Sequence, residues 1–140
     1  MEIMNATDVR KNWSITLDSV VHERPAYIKR TRDSIALIDI NTLNTIFSVY
    51  KFKANRFKEN DGSITLSTCD MDLVVNAGTE EEAVIELARE IKSYAEEYYK
   101  EFALWSSAPN RKDHVPYVLK ALSLDEDVIK GEIVCQDGKN

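Results

Sequence analysis

Apolar residues recur at helical spacing in the first fifty positions. One face of a predicted helix, which begins near Thr7 and ends before Pro25, carries Val9, Trp13, Leu17, Val20 and Val21. Thr7 is the predicted N-cap of this helix. A second set, spaced i, i+3, i+4 and i+7, predicts a helix from about residue 41 to 50 and consists of Leu43, Ile46, Phe47 and Tyr50.

The longest apolar stripe runs from Val84 to Trp105 and predicts a helix over about residues 79–105. Thr79 and Glu82 have the spacing of a capping box at its start. A further helix is predicted over about residues 111–122.

Short β-type runs between these helices predict strands at residues 2–5, 26–29, 34–38, 63–69, 73–75 and 132–135. The basic stretch 51–58 is predicted to be irregular and to separate two domains, 1–52 and 53–140. The fold class is therefore α+β: a strand–helix–hairpin–helix N-terminal domain, followed by a module of a hairpin and a long helix.

Charge is unevenly distributed along the 140 residues, whose formal net charge is −6. Residues 1–56 hold nine basic and six acidic side chains, hence +3, whereas residues 57–140 hold nine basic and eighteen acidic ones, hence −9. A basic front favours a polyanionic partner and an acidic rear favours a basic one. The alternative is that the acidic surface serves solubility alone.

Several classes of protein are disfavoured by the sequence. No run of eighteen apolar residues predicts a membrane span, and the N-terminus lacks the layout of a signal peptide. The two cysteines, Cys69 and Cys135, fit a cytoplasmic protein. His22 and His114 match no metal-ligand spacing, and four glycines form no phosphate-binding loop. We expect neither an enzyme nor a bound cofactor or metal.

The basic side chains of the front half are the candidates for binding DNA. Arg10 and Lys11 lie in the first turns of the predicted first helix, and Lys29, Arg30 and Arg32 lie at the predicted hairpin. A helix start and a tight turn both present cations to a phosphate backbone.

Residues 3–47 as a whole resemble the N-terminal domain of the prevent-host-death (Phd)/YefM antitoxin family. The similarity lies in the order of elements and in the segments Asn5–Trp13, Leu17–Val20, Tyr27–Arg30 and Ile35–Ile38. The resemblance implies a dimeric repressor that binds the operator of its own toxin–antitoxin operon. In that family an arginine of helix one and one after the second strand touch DNA, and Arg10 and Arg30 match those positions.

The rear half departs from that family, whose typical members continue into a short, flexible toxin-binding tail. Here the segment Gly78–Ala83 resembles the HicB-type antitoxin fold, in which Gly-x-Thr-x-Glu-Glu-Ala leads from a strand into a helix. Together the resemblances imply a cytoplasmic antitoxin whose acidic rear binds a RelE-type or other small basic RNase. The alternative is a stand-alone DNA-binding regulator whose C-terminal half only dimerises or senses a signal.

The C-terminal end of the long helix carries candidate toxin-binding residues: Tyr94, Tyr98, Phe102 and Trp105. A helix of roughly 40 Å overreaches strands of about 17–20 Å, so apolar surface is left over. Two interpretations remain open. Either the 111–122 helix folds back and covers these aromatic side chains, or they form part of the toxin-binding surface.

Overall fold

The computed structural model describes residues 1–139 and divides the chain into two compact units, the first being Met1–Ile46 and the second beginning at Phe47. Both units mix helices and sheet, so the molecule is of the predicted α+β class.

The first unit is a three-stranded sheet with helices. Its elements are β1 (Ile3–Asn5), α1 (Ala6–Lys11), α2 (Trp13–His22), β2 (Ala26–Arg30), β3 (Asp33–Leu37) and α3 (Ile40–Phe47), whose last residue begins the second unit. β2 lies in the middle, parallel to β1 and antiparallel to β3. Its core is small and consists of Val9, Val20, Ala26 and Ile28, with Met4, Ala6 and Leu37 packed around it.

The predicted first helix is two helices. The N-cap is Asn5, not Thr7: the Asn5 side-chain oxygen accepts a hydrogen bond from the Thr7 N–H at 2.8 Å. The helix breaks at Asn12, whose backbone N–H and side-chain amide both donate to the Asp8 carbonyl, at 3.0 and 3.1 Å. Such local bonds from an asparagine side chain compete with regular helical bonding.

The second unit is a four-stranded sheet with helices. It contains β4 (Phe52–Lys58), β5 (Ile64–Thr68), β6 (Val74–Ala77), α4 (Glu80–Lys100), α5 (Phe102–Ser107), a 3₁₀ turn (Lys112–His114), α6 (Val115–Leu122), α7 (Glu126–Glu132) and β7 (Ile133–Asp137). The strand order is β6-β5-β4-β7, with β7 parallel to β4 and the other pairs antiparallel. A turn at residues 60–62 joins β4 to β5, and Gly62 adopts φ +88° there.

The prediction that residues 51–58 are irregular is wrong, because β4 occupies them as an inner strand. Phe52 and Ala54 alternate inward and are 1% and 0% exposed. The predicted domain boundary between residues 52 and 53 therefore falls inside β4, whereas the units divide between residues 46 and 47. Residues 1–46 hold six basic and six acidic side chains, so the entire net charge of −6 belongs to residues 47–140.

The core of the second unit lies between the sheet and α4, with α6 and α7 completing it. Leu66, Leu87, Ile91, Val118 and Ile129 are all 0% exposed. Thr79 is the N-cap of α4, as predicted, and its hydroxyl accepts from the Glu82 N–H at 3.2 Å. The predicted 79–105 helix is shorter than expected, because the backbone leaves helical geometry at Glu101 (φ −127°, ψ 46°) before α5 begins.

Candidate functional site

The five basic side chains predicted to bind DNA are all exposed in the first unit. We call them the basic group: Arg10, Lys11, Lys29, Arg30 and Arg32. Arg10 and Lys11 lie in the last turn of α1, not in the first turns of a longer helix. Their neighbour Val9 is buried, and it fixes the face of α1 that turns away from solvent.

Strand pairing places the start of α1 and the end of β2 at the same end of the three-stranded sheet. β1 and β2 are parallel, and Asn5, the last residue of β1, pairs with Lys29. α1 begins at the next residue, so it leaves the sheet at the edge where Lys29 and Arg30 end β2. Arg32 and Thr31 form the following turn, in which Thr31 has φ +52°.

Arg30 has a local ion pair in the hairpin. Its guanidinium donates to the Asp33 carboxylate at 3.1 Å, and the two side chains are 70% and 61% exposed. Solvent-exposed pairs of this kind contribute about 0–1 kcal/mol. Arg30 can therefore exchange Asp33 for a phosphate at small cost.

Large apolar side chains are exposed on the first unit. On the sheet face opposite the core, Ile3, Tyr27 and Ala36 form a row across all three strands, and Ile3 and Tyr27 are 55% and 46% exposed. Trp13 on α2 is also half exposed. The hydroxyl of Thr16 is buried without a hydrogen-bond partner among the described residues, in a groove of about 390 Å³ beside Tyr27.

The four aromatic residues predicted to bind a toxin are largely covered. Tyr98 is 1% exposed and its hydroxyl donates to the Arg111 carbonyl at 2.8 Å; Tyr94, Phe102 and Trp105 are half-buried. The segment after Pro109 returns over them, as the first of the two interpretations expected. Tyr98 belongs to the core and is not surface available to a partner.

Arg111 and His114 hold this covering segment in place. The Arg111 guanidinium donates to the Tyr94 hydroxyl at 3.0 Å and lies over the Tyr94 and Trp105 rings. His114 is buried, with its Nδ1 2.6 Å from the same hydroxyl. Burial lowers the pKa of His114, and Arg111 lowers it further, while the Asp72 carboxylate 3.7 Å from Nε2 acts in the opposite direction.

Two charged features escaped the sequence analysis. Lys120 is 4% exposed, bonded at 2.9 Å to both the Tyr50 carbonyl and the Glu132 carboxylate. Arg56 donates twice to the Glu80 carboxylate, at 2.9 Å, and once to Asp137 at 2.5 Å. The partners of Arg56 are 24 and 81 residues away from it, and the Tyr50 carbonyl is 70 residues away from Lys120. No local pattern signals pairs at such separations.

Other classes of site are not found in the described part of the chain. Residues 1–139 bring no three His, Cys, Asp or Glu side chains together in a metal-binding arrangement. None of the helices in those residues combines the length and apolarity needed to cross a membrane. Both cysteines are free thiols, and burial raises the pKa of Cys135.

The comparison with known families decides the identity of the chain. A family model described as PHD-like, "antitoxin of toxin-antitoxin, RelE/RelB, TA system", matches residues 1–135. The chain belongs to this antitoxin family. Membership of the PHD-like family implies a cognate toxin as partner, so the predicted antitoxin of a toxin–antitoxin system is confirmed.

A solved structure agrees with the PHD-like assignment. The crystal structure at 1.80 Å of an antitoxin part of a proposed toxin/antitoxin system from Syntrophomonas wolfei subsp. wolfei is 35% identical to this chain, with a TM-score of 0.92. The similarity covers 99% of this chain and 100% of that one. No curated protein matches the chain.

Proposed function

We propose that this antitoxin neutralises a small basic RNase-type toxin, of the RelE kind, by direct binding, and that as a homodimer it represses its own operon by binding operator DNA in the manner of Phd/YefM proteins. The observation that carries the proposal is the match of the antitoxin family over residues 1–135.

The basic group supports the DNA-binding part. All five side chains are exposed, and Lys29 and Arg30 lie at the sheet edge from which α1 departs. Arginine forks bind phosphates bidentately and read guanine in the major groove. The first unit as a whole is electrically neutral, so local grouping of cations, not net charge, would attract DNA.

The exposed apolar surface of the first unit supports a homodimer. Ile3 and Tyr27 in the row across the sheet, and Trp13 on α2, are large apolar side chains about half exposed, which a second copy could cover. A domain of about fifty residues also buries little apolar surface, so its own core contributes little stability. A two-fold dimer gives two copies of the basic group, which suits a palindromic operator.

The second unit supports binding of a basic toxin. Its net charge of −6 would steer a cationic partner towards it and favour that partner over an acidic one.

Operator binding is tested by changing Arg10 and Arg30 to alanine together. Each lost phosphate contact lowers the slope of log K against log salt by about 0.9, so a loss of about 1.8 is expected in a gel-shift series. The matched control removes two exposed cations outside the basic group, Arg24→Ala with Lys51→Ala, and should keep the slope. Unchanged operator affinity in the Arg10/Arg30 variant would refute the assignment.

Toxin binding and assembly need separate measurements. Co-expression with the protein encoded beside this one should give a stable complex; capture of nothing would favour the stand-alone regulator.

Light scattering at micromolar concentration should give the mass of a dimer. Tyr27→Lys, on the sheet face opposite the core, should lower that mass towards the monomer.

A further inference from the structure

Strand β6 leaves one edge of the four-stranded sheet without a partner strand among residues 1–139. The Thr68 N–H donates to the Leu73 carbonyl at 2.8 Å, which fixes the alternation of the ladder that follows. Val75 lies two residues further along and pairs with Leu66, so its N–H and carbonyl groups point towards β5. The N–H and carbonyl groups of Val74 and Asn76 therefore point outward, and Val74 is 64% exposed.

A groove runs along this free edge, between β6 and α4. It has a volume of about 490 Å³ and is lined by residues 74–77 and by Glu82, Glu86 and Glu90. The three glutamates are four residues apart on α4, hence about 6 Å from one to the next. Side chains on one face of an extended strand repeat every two residues, about 6.8 Å. The spacing matches an added strand with a cation at every second position.

The charges around the groove are compatible with such a ligand. No basic residue lines it among the described residues. Glu86 accepts from Arg89 at 3.1 Å, and both side chains are 42% or more exposed, so the pair can be exchanged at low cost. At the opposite edge, the groove beside β7 contains Lys130, and its Glu80 is already bound by Arg56.

We propose that an extended, basic segment of the toxin adds to β6 as a fifth strand, with alternate arginine or lysine side chains on Glu82, Glu86 and Glu90. This inference rests on the proposed function, since it identifies where the toxin binds. Backbone hydrogen bonds to Val74 and Asn76 hold the segment, and the glutamates select its charge pattern.

A synthetic peptide tests the groove without the toxin. The probe is an eight-residue peptide of alternating arginine and threonine, titrated into the full-length ¹⁵N-labelled chain. We expect amide shifts at Val74, Asn76 and the groove glutamates. A peptide of the same composition with its arginines in one block should bind at least fivefold more weakly. The alternating peptide N-methylated on its β6-facing residues should lose binding, because those donors are gone.

Matched variants separate charge and backbone effects. Glu82→Gln/Glu86→Gln/Glu90→Gln should weaken peptide binding at least tenfold, whereas three exposed glutamates elsewhere, changed in Glu59→Gln/Glu96→Gln/Glu101→Gln, should leave it within twofold. Val74→Pro removes an outward N–H, which edge strands tolerate, and should also weaken binding tenfold; Val74→Thr keeps the N–H and should not.

The outcomes distinguish the groove from the proposed function. The added strand is overturned, while the antitoxin function stands, if the block peptide and the N-methylated peptide both bind as tightly as the alternating peptide. The same follows if the triple glutamine variant and the Val74→Pro variant both capture the co-expressed toxin in full. Failure of the unmodified chain to capture the toxin contradicts the proposed function, and the peptide titration still decides the groove.

Discussion

Replacing Tyr98 by alanine should destabilise the second unit by several kcal/mol without removing a binding surface. The ring is 1% exposed and makes edge contacts with the Tyr94 and Phe102 rings, at centroid distances of 5.9 and 5.6 Å. Burial of about 150–250 Å² at about 25 cal/mol per Å² gives an upper value near 4–6 kcal/mol, and buried aromatic truncations cost about 3–5 kcal/mol.

Tyr98→Phe isolates the hydroxyl. The ring remains, but the Arg111 carbonyl loses the donor that lies 2.8 Å away. That carbonyl still accepts from the His114 N–H at 3.0 Å, so the change removes one hydrogen bond, worth about 0.5–1.5 kcal/mol, and an intermediate loss of stability is expected.

Urea unfolding followed by far-ultraviolet circular dichroism measures both changes. The adjacent Tyr99, 63% exposed on the same helix, provides the matched control, and Tyr99→Ala should stay within about 0.5 kcal/mol of the unmodified chain. A Tyr98→Ala protein as stable as the Tyr99→Ala protein, yet unable to bind the toxin, would show that the covering segment opens and that the ring is a contact residue.

Three further predictions concern charge and capping. Burial lowers the pKa of His114, so the unfolded chain binds a proton at this residue more readily than the folded chain does. The free energy of unfolding should therefore fall as the pH decreases below about 6.5, the pKa of an unperturbed histidine. His114→Gln should reduce this fall, measured by chemical denaturation at about pH 7.5 and 5.5. Glu132→Gln should lower stability by about 1–3 kcal/mol, since it leaves the buried Lys120 ammonium without its carboxylate; a thermal scan that shows no change would contradict this. Asp125→Ala should cost about 1 kcal/mol in the same scan, because the Asp125 side chain caps α7 through the Val128 N–H at 2.9 Å.

Local patterns identified most elements because their apolar faces are periodic, and they missed β4 for a reason visible in its side chains. The strand alternates Phe52 and Ala54 inward, but Lys53, Arg56 and Lys58 give the segment a polar composition. Arg56 lies on the same face as Phe52 and Ala54, is about one-third exposed and is paired there with Glu80 and Asp137. Those partners come from distant segments, so a local pattern cannot show that the arginine is tolerated.

The same limit applies to the candidate sites. The exposure of the basic group could be predicted, since cations remain on surfaces and Val9 marks the inner face of α1. The burial of Tyr98 depends on Arg111 returning to it from beyond Pro109, a tertiary event. By contrast, α7 has a local signal in the sequence, since Asp125 precedes two acidic residues and a helical run, as an N-cap should.

The sheet of the second unit cannot be completed until β7 has been synthesised, because β7 pairs with β4. Asn55 bonds to Gln136, 81 residues further along the chain. Translation at about 5–20 residues per second makes that interval roughly 4–16 s. During it, one side of β4 presents unpaired N–H and carbonyl groups on which foreign strands can pair. A ribosome that stops before residue 133 thus releases a chain that contains the whole first unit with its basic group. The sheet of its second unit lacks β7, so β4 is left as an open edge that is prone to aggregation.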